Sequence, residues 1–311
     1  MNESETASGI AAEEILKGLQ RPQKSLPSKY FYDERGSELF EQICSLPEYY
    51  PTRTEISILT SNMSDISRTI GKGIDLVEFG SGSSLKTRML LDHLKDLHVY
   101  YPVDISEAFL MKSADQIRSE YKNLNVIPVP ADYTEPFSLP GDLNGERTII
   151  FFPGSTIGNF RPDRASGFLK QHRPLMLPGG GILIGVDRKK PKEILERAYN
   201  DEKGVTAEFN LNILNHLNDK LDAAFDPRLF RHKAFYNEEE GRIEMHLVCR
   251  ADHEVELSGV TVSFMEGESI HTENSYKYSP DEVEALFGEG YRLEAMWSDP
   301  DKYFSVYYFR V

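Results

Sequence analysis

Residues 77–88, VEFGSGSSLKTR, place an acid, a glycine pair, small hydroxyl residues and a lysine within one short stretch. An apolar run over 74–79 precedes them, and LKTRMLLDHL, with helical spacing, follows. Glycines at 80 and 82 let the backbone turn with positive φ and pass close to a ligand. The start of a helix adds unpaired N–H groups and a positive dipole end. The chemistry this suits is cradling of a nucleotide. Two better-known loops fail on one residue. A dinucleotide loop needs a third glycine where Leu85 stands, and a phosphate-binding loop needs glycine directly before Lys86-Thr87, which is again Leu85. The bland alternative is a strand–helix turn with no ligand.

Glu78 favours a third option. A carboxylate beside the loop repels a triphosphate and suits a cation. S-adenosylmethionine carries a sulfonium and an ammonium and no phosphate. Other residues extend such a site. Asp104 ends the segment VYYPVDIS, where an acid that accepts ribose hydroxyls belongs. Its plainer role is a cap for the next helix. Asp132 and Tyr133 follow VIPVPA and suit an adenine amino group and ring, although Asp is also common in turns. FFPGSTIGNF then offers two glycines and Asn159, whose amide both donates and accepts.

These residues need elements to hold them. Strands are expected over 75–79, 99–103, 126–129, 148–152 and 181–186, with helices such as 106–120 and 164–173 between them. Strands alternating with helices give a parallel, doubly wound sheet with its ligand at the carboxyl ends. Helical spacing runs from 191 to about 220, and β-like segments follow at 232–237, 242–250, 254–264 and 269–277, as in an antiparallel meander. A helix over 280–287 and strands over 291–297 and 303–311 close the chain. A short helix is expected over 8–19. The α/β pattern with a closing hairpin is similar to the Rossmann-like sheet of a class I methyltransferase. The α+β insertion forms a substrate-binding domain of 1–55 with 190–278, and the sheet forms a domain of 56–189 with 279–311.

Beyond these local features, six blocks in order resemble the histidine-specific Nα-methyltransferases of ergothioneine biosynthesis. They are the 24–55 segment KSLPSKYFYDERGSELFEQICSLPEYYPTRTE, VEFGSGSSLKTR, FFPGSTIGNF, RAYNDEKGVTAEFN, RIEMHL and HTENSYKY. The resemblance implies three methyl transfers from S-adenosyl-L-methionine to the α-amine of L-histidine, giving hercynine. It implies cofactor contacts at Gly80, Ser81, Gly82, Lys86, Asp104, Asp132 and Tyr133. Tyr49 and Tyr199 match the tyrosines that hold the substrate carboxylate. Asn159, with Tyr32 nearby, matches the catalytic group facing the amine. Glu273 and Ser275 match the pair that binds imidazole, and Met245 an apolar residue lining it. A neutral phenol can donate to a carboxylate, and a carboxylate can accept an imidazole N–H. From spacing alone, Glu273 is a solvated acid on a strand edge and the pair Tyr49-Tyr50 is core filling.

Three rivals stand beside this reading: a relative acting on tryptophan or tyrosine, a nucleoside-triphosphate switch, and a catalytically dead binding module. Glu273, Ser275 and Met245 favour imidazole over the larger indole. Leu85 counts against the switch. His246 and His271 read as ordinary core or surface residues, since no metal spacing accompanies them; no metal is expected. The net charge of -15 argues against a nucleic-acid partner. No apolar run is long enough to span a membrane. The polar, acidic first twenty residues do not read as a secretory signal. With Cys44 and Cys249 far apart, no disulfide framework is expected, and a cytoplasmic monomer is the expectation.

Overall fold

In chain order the elements are α1 (Glu3–Leu19), β1 (Lys24–Ser25), α2 (Glu34–Cys44), α3 (Tyr50–Ile70), β2 (Ile74–Phe79), α4 (Leu85–Leu91), β3 (Leu97–Asp104) and α5 (Glu107–Glu120). Then come β4 (Asn125–Val126), β5 (Val129–Pro130), β6 (Arg147–Phe152), α6 (Pro162–His172), β7 (Gly181–Asp187), α7 (Lys192–Ala198) and α8 (Val205–Leu221). The last are β8 (Phe230–Asn237), β9 (Arg242–Cys249), β10 (His253–Leu257), β11 (Val260–Phe264), β12 (Ser269–Tyr276), α9 (Pro280–Phe287), β13 (Arg292–Ser298) and β14 (Phe304–Arg310). This computed structural model describes residues 3–82, 85–141, 147–176 and 178–311. One unit comprises Met1–Tyr49 and Pro191–Ser275; the other comprises Tyr50–Lys190 and Tyr276–Val311.

The second unit is built on a sheet of order β13-β14-β7-β6-β2-β3-β4, with β5 also on β3. β2 runs parallel to β3 and β6, β6 parallel to β7, and β14 antiparallel to both β7 and β13. Every residue of β2 is buried, as expected of a strand covered on both faces. Its side chains alternate between two cores. Val77 and Phe79 pack with Phe168 of α6 and Leu286 of α9. Ile74 and Leu76 pack with Ile58 and Ile66 of α3 and Ile117 of α5. Each such side chain contributes about 1.5–3 kcal/mol when fully buried.

The first unit carries a sheet of order β1-β12-β9-β8. β8 and β9 pair antiparallel from Phe230↔Cys249 to Asn237↔Arg242, and β1 lies parallel to β12. The buried Asn210 of α8 ties the sheet to that helix. Its amide donates to the His246 carbonyl (3.1 Å), approaches His232 Nδ1 (2.9 Å) and accepts from Thr272 Oγ1 (2.7 Å).

The structure corrects three expectations, at 126–129, at 254–264 and at the start of α1. The strand over 126–129 is two fragments, β4 and β5. Pro128 between them has no N–H to give, while Ile127 still donates to Tyr100. The segment 254–264 is not one rung of a meander. It turns at Ser258 (φ 49°) and Gly259 (φ 78°), the double positive-φ turn that suits tight hairpins. β10 and β11 therefore form their own two-stranded sheet. The helical stretches expected from 191 are α7 and α8, parted by residues 199–204, with Gly204 (φ 74°) just before α8. α1 begins at Glu3, upstream of residue 8.

Candidate functional site

The glycine turn leaves β2 as the residue pattern requires. Gly80 and Gly82 have φ of 69° and 44°, a region costly to residues with a Cβ. Gly80 N–H donates to the Val103 carbonyl at the end of β3 (2.9 Å), and Ser113 Oγ donates to Gly82 O (3.2 Å). Ser81 is buried. Ser83 and Ser84 of the same loop lie outside the described residues. Tyr133 comes to this turn: a Cβ on Gly80 would lie 3.8 Å from its hydroxyl, and its ring stacks on Phe79 at 5.5 Å. Burial first, then Asp104 and Asp132, push the Tyr133 phenol up, so it stays a donor. Asp104 accepts from Ser106 N–H (2.9 Å). Burial raises its carboxyl while backbone N–H groups of Ser106, Gly82 and Ile105 oppose the rise. Asp132 closes a local turn, accepting from the Thr134 N–H (2.9 Å) and hydroxyl (2.5 Å).

Glu78 departs from the sequence reading. It is 2% exposed and faces inward, accepting from Thr87 Oγ1 (2.7 Å to each oxygen) and from Tyr100 OH. It braces strand to helix under the turn. Burial lifts its carboxyl to about 7 despite those hydroxyls. An unfolded chain ionises this group near its ordinary value of 4.5. The folded state is therefore penalised progressively as pH rises from about 4.5 to 7, by about 3 kcal/mol in full. Glu78→Gln is expected to gain on the parent chain at pH 8 and lose that gain near pH 4.5. Denaturant titrations at both values check this; a pH-independent difference contradicts it.

Lys86 has a partner the sequence reading missed. Its Nζ lies 2.5 Å from the buried Glu55 carboxylate, which also accepts from Gly154 N–H (2.9 and 3.1 Å). Gly185 makes room: a Cβ there would sit 1.9 Å from Glu55 Oε1. Glu55 thus joins α3, the start of α4 and the loop after β6. The one signal was its place at the end of the 24–55 block. In that loop Ser155 holds φ 58°, a strained value for a residue with a side chain, as is often found near functional sites. Its Oγ accepts from Asp187 N–H (2.9 Å). Asn159 ends the following short turn, Thr156–Asn159, half-buried, and its amide makes no hydrogen bond among the described residues.

Asp187, fully buried at the end of β7, gathers Tyr50 OH (2.7 and 2.9 Å), Lys190 Nζ (2.5 Å) and Lys277 Nζ (2.8 Å). Burial alone would raise its carboxyl, but the two ammonium groups hold it below the usual carboxylate range.

In the other unit an aromatic cluster forms. Tyr49 meets Tyr199 edge-on at 6.0 Å and Phe40 at 6.3 Å; Tyr32 meets Phe40 and Phe209. Tyr199 OH donates to Ser275 Oγ (2.8 Å). Burial first, then Tyr199, Cys44, Glu273 and Tyr32, push the Tyr49 phenol well above its ordinary value. Tyr49, Tyr199, Ser275, Glu273 and Tyr32 are thus neighbours. Met245 is buried on β9, where its carbonyl accepts from Thr272 (3.0 Å). His246 and His271, read from the sequence as ordinary core or surface residues, stack their rings at 4.6 Å, and His246 meets Glu244 at 3.0 Å.

A parallel sheet with one reversed strand near its edge, and a glycine turn after its first parallel strand, is the architecture of a class I S-adenosylmethionine-dependent methyltransferase. Comparison with known proteins narrows the class. The description "Histidine-specific methyltransferase, SAM-dependent" matches residues 11–311. The histidine N-alpha-methyltransferase of Mycolicibacterium smegmatis is 40% identical over 303 residues, 96% of this chain and 94% of that protein. That of Mycobacterium tuberculosis is 41% identical over 293 residues, 92% and 90%. Ergothioneine biosynthesis protein 1 of Neurospora crassa is 30% identical over 301 residues, 90% of this chain but 32% of that longer protein. This chain belongs to the histidine-specific, S-adenosylmethionine-dependent methyltransferase family. No helix among the described residues is long and apolar enough to cross a membrane.

Proposed function

We propose that this enzyme transfers three methyl groups in succession from S-adenosyl-L-methionine to the α-amine of L-histidine, giving hercynine for ergothioneine biosynthesis. The observation that carries the proposal is the family match over residues 11–311. When bound, the cofactor supplies an electrophilic sulfonium methyl. Gly80 and Gly82, on either side of Ser81, fit its approach because neither carries a Cβ to block it. Asp104 would accept from the ribose, Asp132 and Tyr133 would meet the adenine, and Lys86, set by Glu55, would face the amino-acid tail.

On the substrate side, Tyr49 and Tyr199 would hold the carboxylate. The raised Tyr49 phenol supports this, since it remains a neutral donor. Glu273 and Ser275 would take the imidazole against Met245. Ser275 already engages Tyr199, so substrate would exchange one hydroxyl contact for others. Asn159 and Tyr32 would orient the amine. An uncharged amide suits an amine that gains bulk at each turnover better than a charged clamp. Positioning is the main source of rate here, worth up to roughly 7–11 kcal/mol. The transfer needs no metal. Neither Cys44 nor Cys249 is in a disulfide, which fits a cytoplasmic enzyme, and we take it to act as a monomer.

Incubation with S-adenosylmethionine and histidine, tryptophan or tyrosine tests the proposal by mass. A histidine product heavier by three methyl groups is expected, and transfer to tryptophan or tyrosine instead overturns it. Asp104→Ala is expected to weaken cofactor binding by about 100-fold, the scale of losing hydrogen bonds to a charged acceptor. Unchanged affinity in calorimetry would remove Asp104 from the ribose.

A further inference from the structure

We propose that Glu244, His246 and His271 form a binding site for a divalent transition-metal ion of the zinc class, linking β9 to β12. No step of the methyl transfer uses these residues. Glu244 and His246 stand two residues apart on one face of β9, and His271 stands on β12, its neighbour in the sheet. One donor atom from each lies within 4.8 Å of the other two. Glu244 and His246 are buried and His271 is half-buried.

The second polar atom of each of the three residues is held by a neighbour. Oε1 of Glu244 accepts from Asn237 Nδ2 (2.9 Å) and from Arg242 Nε (2.9 Å) and Nη2 (2.8 Å). That leaves Oε2 turned to His246 Nε2 (3.0 Å). The far nitrogen of His246, Nδ1, meets Ser269 Oγ (3.2 Å). His271 Nε2 donates to the Glu273 carbonyl (2.9 Å), which makes Nδ1 the ring atom with a free lone pair. Metal-ligating histidines characteristically spend their second nitrogen on a backbone carbonyl or hydroxyl, and ligating carboxylates are themselves hydrogen-bonded. All three residues here have that outer support.

Two imidazoles and one carboxylate suit zinc and its neighbours, whereas magnesium and calcium prefer all-oxygen sites. On binding, the proton shared by Glu244 and His246 leaves the Nε2 position. His246 retains a ring proton by shifting it to Nδ1, where Ser269 can accept it, so no net proton is lost. Two cations, Lys233 and Arg242, face the cluster and oppose a further positive charge. Arg242 is divided between Glu244 and Glu240 (3.4 Å), which blunts its effect.

The test uses the untagged full chain, stripped with a chelator and titrated with zinc by calorimetry and with cobalt by visible absorption. One zinc ion per chain is expected, undisturbed by excess magnesium. His271→Ala and Glu244→Gln should each weaken binding by at least about 100-fold. Ser269→Ala should weaken it by about 10-fold, in the range for an outer partner. His271→Gln guards against misfolding, since its amide can still donate to the Glu273 carbonyl while the ring lone pair is gone. It should lose zinc with its circular dichroism unchanged. Absence of zinc uptake by the parent chain overturns the site, as does uptake that survives His246→Ala with His271→Gln.

Discussion

Asp187→Ala is expected to cost the unit that contains it about 3–5 kcal/mol, the range for removing one partner of a buried ion pair. Asp187 is fully buried, and the Lys190 and Lys277 side chains it serves are 2% and 0% exposed. Without the carboxylate, two ammonium groups face each other in a dry interior. Burial already drives the Lys190 ammonium down to about 8, with Asp187 the main opposing influence. Asp187→Asn separates charge from shape: it fills the same space and still accepts from Tyr50, so a loss close to that of alanine identifies charge as the cause. Adding Lys277→Met should recover part of the loss. Trp297, the single tryptophan, lies in this unit, so its fluorescence follows the relevant transition. An asparagine variant within about 0.5 kcal/mol of the parent, the scale of ordinary surface changes, would show that the cluster is not an electrostatic lock.

Glu273→Ala is expected to lower kcat/KM for histidine by about 100-fold and leave the affinity for S-adenosylmethionine unchanged. A hydrogen bond to a charged group is worth about 1.5–3 kcal/mol, and an imidazole N–H left without an acceptor adds its own desolvation cost. Discrimination should collapse with it. A pocket that hydrogen-bonds its substrate rejects analogues lacking the partner, and a pocket without that acceptor discriminates on size alone. The readout is the ratio of kcat/KM for histidine to that for tryptophan and tyrosine. An unaltered ratio would take Glu273 out of the imidazole site.

The parallel strands were legible because strands covered on both faces are written as apolar runs, as in IDLVEF and RTIIFF. The glycine turn and the acids at strand ends are equally local, since each sits a few residues from a strand it follows. What misled was pairing across distance. Glu78 was the right type of residue in the right place, but Tyr100 lies on the adjacent strand and Thr87 on the next helix, and together they turn it inward. Glu55 and Lys86 meet only through packing of α3 against the sheet. His246 and His271 stand on strands separated by the β10–β11 hairpin, so no spacing rule could bring them together. The hairpin itself was readable: Ser258-Gly259 is a turn pair embedded in an alternating stretch.

The Asp187 cluster has a consequence for how such a chain can change. The inserted segment departs just after Lys190 and returns just before Lys277, and both lysines close on one carboxylate. Seen from the sheet, the excursion starts and finishes at the same point. The entropy of closing a loop rises only slowly with its length, so the sheet is nearly indifferent to what the excursion contains. A lineage can lengthen, trim or exchange it without disturbing the strands that carry the glycine turn. Diversification of substrate can then proceed by changing that excursion together with the N-terminal segment that joins its sheet through β1.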